Sequence, residues 1–287
     1  MTEGLVAPEL VLCSMSMVPI GFRDLVESAA GAGFDAVSVV GSVYRRGQRD
    51  DGLSDRDMRA ILDDNDIYVS EVESAGSWLS PPENVVERWR PRLSDQEILR
   101  ISEALGARTV VATHFGEARS IERAAPAFAA LCDAAATAGT TVSLEFPAWA
   151  TINDVATAWE IVRLADRANA GILLDTWHHR RSSSADDVLF SIPPERITAI
   201  QLADGAAEPS GPLEDDVLVR RLPGEGQFGI VDLLRTLAQM GVTAPVGVEV
   251  WDRELLEQGP GEAARQLAAA TRRTLVEAGA AIESGSQ

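Results

Sequence analysis

The chain has 287 residues, 46% of them hydrophobic and 24% charged, the composition of a folded globular protein and not of a disordered one. Its 25 Lys and Arg stand against 44 Asp and Glu, and the net charge of −19 excludes a sequence-independent grip on nucleic-acid phosphates and disfavours an anionic membrane surface. The two cysteines, Cys13 and Cys132, form no CxxC, which excludes a Cys-rich zinc site and fits a reducing compartment.

In chain order, a short β-branched run followed by a helical pattern recurs eight times. The start, MTEGLVAPE, lacks a basic n-region and an apolar core, so a signal peptide is not expected. Strands are predicted at Leu10–Cys13, Ala36–Val40, Ile67–Val72, Thr109–Thr113, Thr141–Phe146, Gly171–Asp175, Ile197–Leu202 and Val246–Val250. Helices are predicted at Phe22–Ala32, Asp55–Asn65, Asp95–Leu105, Ile121–Ala138, Asn153–Ala168, Ala185–Ser191, Ile230–Met240 and Gly261–Ala278. Gly106, Gly139 and Gly241 end three of them, as C-cap glycines do. The most apolar run, Ala124–Cys132, contains Pro126 and is too short to span a bilayer, so a cytoplasmic location is expected.

Strand–helix alternation implies right-handed βαβ crossovers and a parallel sheet. The strand faces choose between an open sheet and a barrel. Thr141, Ser143 and Glu145 alternate with Val142 and Leu144; Gly171, Leu173 and Asp175 with Ile172 and Leu174; Ile197, Ala199 and Gln201 with Thr198 and Ile200; Gly247 and Glu249 with the valines around them. One face is branched and apolar, the other small and ending in a polar group, whereas an open sheet covered on both sides is apolar on both. We therefore expect a single (β/α)8 TIM barrel, an α/β fold occupying residues 1–287 as one domain with a frayed tail at 283–287. Two long insertions, Ser74–Arg92 and Asp204–Gly229, leave the C-terminal face, where barrel active sites form.

Four polar side chains end four successive strands: Glu145, Asp175, Gln201 and Glu249. Adjacent strands lie about 5 Å apart. Three carboxylates converging at that spacing repel one another unless a cation neutralises them. An oxygen-rich set suits one hard divalent ion, Mn²⁺ or Mg²⁺, better than zinc, which prefers His and Cys. His178 and His179 follow Asp175 closely, and either is placed to serve as an acid–base group; His114 ends the fourth strand as a substrate-binding candidate. Arg220 and Arg221 precede PGEG in the long seventh loop, where a guanidinium fork can clamp a carboxylate or a hydroxyl pair. Trp149, Trp177 and Trp251, with Trp78, sit at strand C-ends or in the loops above them and are candidate walls for a sugar or cyclitol ring. The run Gly224 to Gly229 matches GxGxxG, but it lies late in the chain, follows a polar loop and puts Glu225 where a pyrophosphate would sit, so no nucleotide cofactor is expected.

At these residues the chain resembles the xylose isomerase-like TIM-barrel superfamily, in particular its sugar phosphate isomerase/epimerase branch, over almost its whole length and most specifically from Ser143 to Trp251. The resemblance implies Glu145, Asp175, Gln201 and Glu249 as metal ligands, Glu145 and Glu249 as the proton-transferring carboxylates, and His178, through the Asp-x-x-His spacing, as the acid. The segment Arg221 to Gly226 resembles a loop common in that branch, which makes Arg221 a substrate-binding candidate. One departure stands out. Many ketose 3-epimerases carry His where this chain has Gln201, and an Arg soon after; Gln is instead similar to hydroxypyruvate isomerases and 3-dehydroshikimate dehydratases.

The expected function is a metal-dependent sugar isomerase or epimerase that removes a proton alpha to a carbonyl of a small polyhydroxylated substrate through a metal-stabilised enediolate. The alternatives are a dehydratase (lyase) of a cyclic polyol ketone such as dehydroshikimate or inosose, and a non-catalytic barrel acting as a binding subunit. No nucleic acid or membrane partner is expected, and a homo-oligomer is left open.

Overall fold

A computed structural model describes residues 7–80, 92–116, 120–182 and 186–279. The expected tail 283–287 and most of the insertion Ser74–Arg92 lie outside the described residues. The strands are β1 (Leu10–Leu12), β2 (Ala36–Val40), β3 (Tyr68–Ala75), β4 (Thr109–Ala112), β5 (Thr141–Leu144), β6 (Ala170–Asp175), β7 (Ile197–Leu202) and β8 (Val246–Val248). Neighbours pair in parallel, and β8 returns to β1 through Leu10 opposite Val246 and Leu12 opposite Val248, so the sheet closes into the expected eight-stranded barrel.

The covering helices are α1 (Phe22–Gly31), α2 (Gly41–Arg49), α3 (Asp55–Asp64), α4 (Asp95–Leu105), α5 (Ile121–Ala136), α6 (Val155–Ala165), α7 (Thr176–Arg181), α8 (Asp186–Phe190), α9 (Leu213–Asp216), α10 (Ile230–Met240), α11 (Arg253–Glu257) and α12 (Pro260–Ala278). Local chemistry sets many of their ends. Ser54 and Ser94 each form a capping box, with Asp57 and Glu97, which satisfies the first free N–H groups of α3 and α4. Gly106 takes the left-handed conformation (φ 68°) that closes α4.

Helices α2, α7, α9 and α11 were not anticipated; each is short and begins beyond the C-terminal end of a strand. In α2 the run RRGQR reads as a loop, but Gly47 is there for packing. A Cβ on it would lie 2.7 Å from Met58 Cε and 3.1 Å from Phe22 Cβ, so a larger residue there would collide with side chains of α3 and α1. Among the described residues, no helix is long and apolar enough to cross a membrane.

Most of the core lies between sheet and helices, with a small separate cluster of Val111, Leu173 and Ala199. The expected alternation of β7 is broken once. The β6–β7 register shifts between Ile172 and Leu173. Thr198, expected with Ile200 on the outer face, instead places its hydroxyl 2.6 Å from Ser143 and fills the space where Gly171 lacks a Cβ. Beyond the shift, Asp175 stands opposite Gln201.

Candidate active site

Asp175 and Gln201 are paired within β6 and β7, and Glu145 and Glu249 are held by extensions of the barrel ladder. The Glu145 N–H donates to Ala112 O and the Glu249 N–H to Leu202 O, both at 2.9 Å. Asp175 caps α7 by accepting the His178 N–H at 2.9 Å through Oδ1. The Asp-x-x-His spacing is therefore that of an N-cap and the third residue of the turn it opens. Gly247 lets β8 approach closely, because a Cβ there would sit 2.7 Å from Cys13 Sγ and 3.6 Å from Gln201 Cγ.

Glu145, Asp175 and His178 each present one potential ligand atom within 4.8 Å of the others. Arg220 completes the group. Its Nη1 donates to Asp175 Oδ2 at 2.8 Å, to Glu249 Oε2 at 3.1 Å and to the Glu249 carbonyl at 2.9 Å. The three side chains are only 1%, 0% and 7% exposed, so little water screens them.

Here the structure corrects the choice between the two arginines. Asp204 and Arg221 exchange both backbone hydrogen bonds in an antiparallel bridge. Successive side chains on such a segment point to opposite sides. Arg220 is buried in the site, and Arg221 is exposed and does not line the cavity.

His178 and His179 separate as well. The Ala148 N–H lies 3.4 Å from His178 Nδ1, and Nε2 lies 3.2 Å from the donor Arg220 Nη2 and 3.4 Å from Glu145 Oε1, so His178 stands between the guanidinium and the Glu145 carboxylate. His179 turns away and pairs with Asp186 at 2.8 Å.

Above the cluster opens a cavity of about 540 Å³. Trp149 and Trp251 line it, as expected. Trp177 does not; it is fully buried and packs edge-on against Trp149 and His178, with the guanidinium of Arg220 5.3 Å from its ring. His114 is likewise buried away from the cavity, edge-on to Trp78.

Two acids escaped the sequence reading, Glu71 and Glu73 on β3. Glu71 is buried in the barrel and Glu73 is partly buried; neither oxygen of Glu71, nor Oε1 of Glu73, has a hydrogen-bond partner among the described residues. Glu73 lines the cavity. The alternation of Ser70, Glu71, Val72 and Glu73 was the available signal, and the predicted strand stopped at Val72, one residue short of it.

This crowding sets the electrostatics. Burial, then the charges of Glu249, Asp175 and Glu73, push Glu145 well above the ordinary glutamate range. Burial pushes Glu249 up to about 8 although Arg220 opposes it. Burial also acts to raise Asp175, but Arg220 and the His178 side outweigh it and hold Asp175 low. Burial drives His178 down to about 3, so its ring is neutral at pH 7.

Four carboxylates, Asp175 and Glu249 buried and Glu73 and Glu145 partly so, thus share one guanidinium, and both amide atoms of Gln201 lack a partner among the described residues. This donor set fits a hard divalent cation, which would relieve the like-charge repulsion and give the Gln201 oxygen a partner.

Comparison with known proteins agrees with this architecture. A family profile described as "Xylose isomerase-like TIM barrel" matches residues 26–274. A 3-dehydroshikimate dehydratase of Pseudomonas aeruginosa is 31% identical over 123 residues, 42% of this chain and 19% of that protein. An inosose isomerase of Bacillus subtilis is 30% identical over 126 residues, 43% of this chain and 45% of that protein. The matches therefore span less than half the length of either relative. The crystal structure of "IOLI protein with a binding zinc atom" superposes with a TM-score of 0.82 at 20% identity, covering 94% of this chain and 98% of that one.

Proposed function

The chain belongs to the xylose isomerase-like TIM-barrel family, and from that premise we propose that it is a divalent-metal-dependent enzyme of the sugar isomerase/epimerase type, removing the proton next to a carbonyl of a small polyhydroxylated substrate. One observation carries the reading: a surplus of buried and partly buried carboxylates around a single guanidinium, at the floor of a cavity walled by Trp149 and Trp251. Glu145, Asp175, Gln201 and Glu249 would hold the ion, with Mn²⁺ or Mg²⁺ favoured by the oxygen donors. When bound, such an ion supplies Lewis-acid polarisation of a carbonyl and the positive charge that keeps nearby carboxylates ionised.

The protein's own groups do the rest. Glu145 or Glu249 takes the proton from carbon and returns it to a neighbouring atom or the opposite face. Arg220 fixes the Asp175–Glu249 pair and offers Nη2 toward the cavity side of His178. The tryptophan faces bind the C–H side of a ring and exclude water.

A second outcome, loss of a β-hydroxyl, is favoured by His178. Its Nε2 lies 3.4 Å from Glu145 Oε1, placed to position a departing hydroxyl beside Glu145, which takes the proton from carbon and passes it to that hydroxyl, so that the group leaves as water. The dehydratase relative points the same way.

The test is deuterium wash-in from D₂O with Mn²⁺ and a panel of ketoses, inososes and dehydroshikimate. Exchange next to the carbonyl is expected, falling roughly 100- to 10,000-fold in Glu145→Gln and in Glu249→Gln. Exchange without water loss marks an isomerase; a dehydrated product marks a lyase. Near-full exchange in both variants would remove the proton chemistry from these residues. Sub-stoichiometric metal that added Mn²⁺ does not restore, with no exchange on the panel, would leave a binding barrel.

A further inference from the structure

The cavity is electrostatically divided. Its floor is acidic, with Glu73, Glu145 and Glu249, but one wall is helix α2, which contributes Ser42, Arg45, Arg46 and Arg49 along a single face. In a chain of net charge −19, this places three of its 25 basic residues on nine residues of helix at the mouth of the one cavity the chemistry uses. Two of the three are engaged. Arg45 donates to Glu97 at 2.7 Å and to the Arg92 carbonyl at 3.3 Å. Arg49 pairs with the adjacent Asp50 at 2.7 Å while 74% exposed. Arg46 is different. It is half-buried and makes neither a hydrogen bond nor an ion pair among the described residues, Asp50 being near enough only to feel its charge. Complementing the dipole at the end of α2 would account for a basic residue in the last turn. It would not account for a guanidinium that is half-buried, without an acid on it among the described residues, and lining a cavity.

We propose that the ligand of this cavity carries an anionic oxygen group, a carboxylate or a phosphate, which seats on Arg46 at the α2 wall while its carbonyl and hydroxyls face Glu145 and Glu249. The proposal deepens the enolisation reading and rests on it for the orientation of the ligand. A guanidinium is the side chain suited to a planar or tetrahedral oxyanion, because its donors form a fixed fork. Arg46 stands at the α2 wall and Glu145 and Glu249 at the floor, so an anionic group seated on the arginine fixes which end of the ligand reaches the floor. A neutral polyol receives no such direction, and Arg46 would leave its affinity untouched.

Three ring polyols provide the probes: myo-inositol (neutral), quinate (a carboxylate) and inositol 1-phosphate. Each is titrated calorimetrically into the Mn²⁺-loaded full chain, and into Arg46→Gln and Arg46→Lys. At least one anion should bind about 10-fold or more tighter than myo-inositol, and which one does so separates carboxylate from phosphate. In Arg46→Gln that anion should weaken roughly 10- to 100-fold with myo-inositol unchanged, and Arg46→Lys should recover part of the loss. The advantage should also shrink between about 50 and 300 mM salt. The proposal is overturned if neither anion outbinds myo-inositol in the unaltered protein, if Arg46→Gln leaves anion binding unchanged, or if it weakens the neutral polyol equally. Arg46-dependent anion binding without deuterium exchange would sink the enolisation reading and leave this one standing.

Discussion

Arg220 holds the Asp175 and Glu249 carboxylates through one nitrogen, in surroundings almost free of water. Removing one partner of such a group strands the others. Arg220→Met should therefore destabilise the metal-free protein by about 3–5 kcal/mol, and by less once Mn²⁺ shares the negative charge. Urea unfolding with and without Mn²⁺ measures both, and an equal loss in the two conditions would count against a cation beside these acids. Glu71 makes the opposite case. Burial and the neighbouring Glu73 and Glu249 raise it well above its ordinary value of 4.5. An acid raised in the folded state binds more protons folded than unfolded, so its contribution is retained below about 4.5 and is lost as pH climbs toward its folded value. Glu71→Gln should then stabilise the protein, by roughly 1–3 kcal/mol at pH 8 and by much less at pH 5. A thermal melt showing no gain at pH 8 would mean that Glu71 has a partner in solution.

At the scale of elements, the loop between β7 and α10 is pinned to helix α7 and closed on itself by a bridge. Arg181, at the end of α7, donates to Asp216 at 2.7 Å with both side chains nearly buried, and Asp216 also accepts from the N–H and hydroxyl of Ser210. The Asp204–Arg221 bridge fixes the phase of the chain so that Arg220 turns inward. Asp216→Asn weakens the first anchor and leaves the catalytic groups in place. It should open the loop to proteases between Gly205 and Arg221 and raise KM roughly 3- to 10-fold with kcat within about twofold. An unchanged cleavage pattern would show that the bridge alone holds the loop. Short elements were also where sequence reading stopped: α2 and α7 carry Arg46 and His178, yet the buried face of α2 is only Gly41, Val43, Tyr44 and Gly47, and α7 has six residues, too few for periodicity to detect.

Across the whole molecule, the acidic cluster couples stability to metal and pH. Glu145 and Glu249 are both raised, Glu249 to about 8, so metal-free protein should lose stability as pH rises from about 4.5 through 8. A divalent ion binds the deprotonated ligands, so the increase in Tm on adding Mn²⁺ should be larger at pH 8 than at pH 5.5 and should vanish in a Glu145→Gln, Glu249→Gln double variant. A metal-induced shift that survives the double variant would assign the ion elsewhere. The amino-acid order alone was enough for the eight βα units, the closed barrel and the strand-end positions of Glu145, Asp175, Gln201 and Glu249, because strand period and strand-end position are local properties of the chain. Three matters were decided only on folding: that Arg220 and not Arg221 enters the site, that His178 and not His179 faces Glu145, and that Glu71 and Glu73 crowd the same interior. The first depends on a bridge between residues 17 apart, the second on the turn that Asp175 caps at the end of β6, and the third on a strand that runs past its predicted end, and the phase of such segments is set by long-range pairing that no stretch of sequence contains by itself.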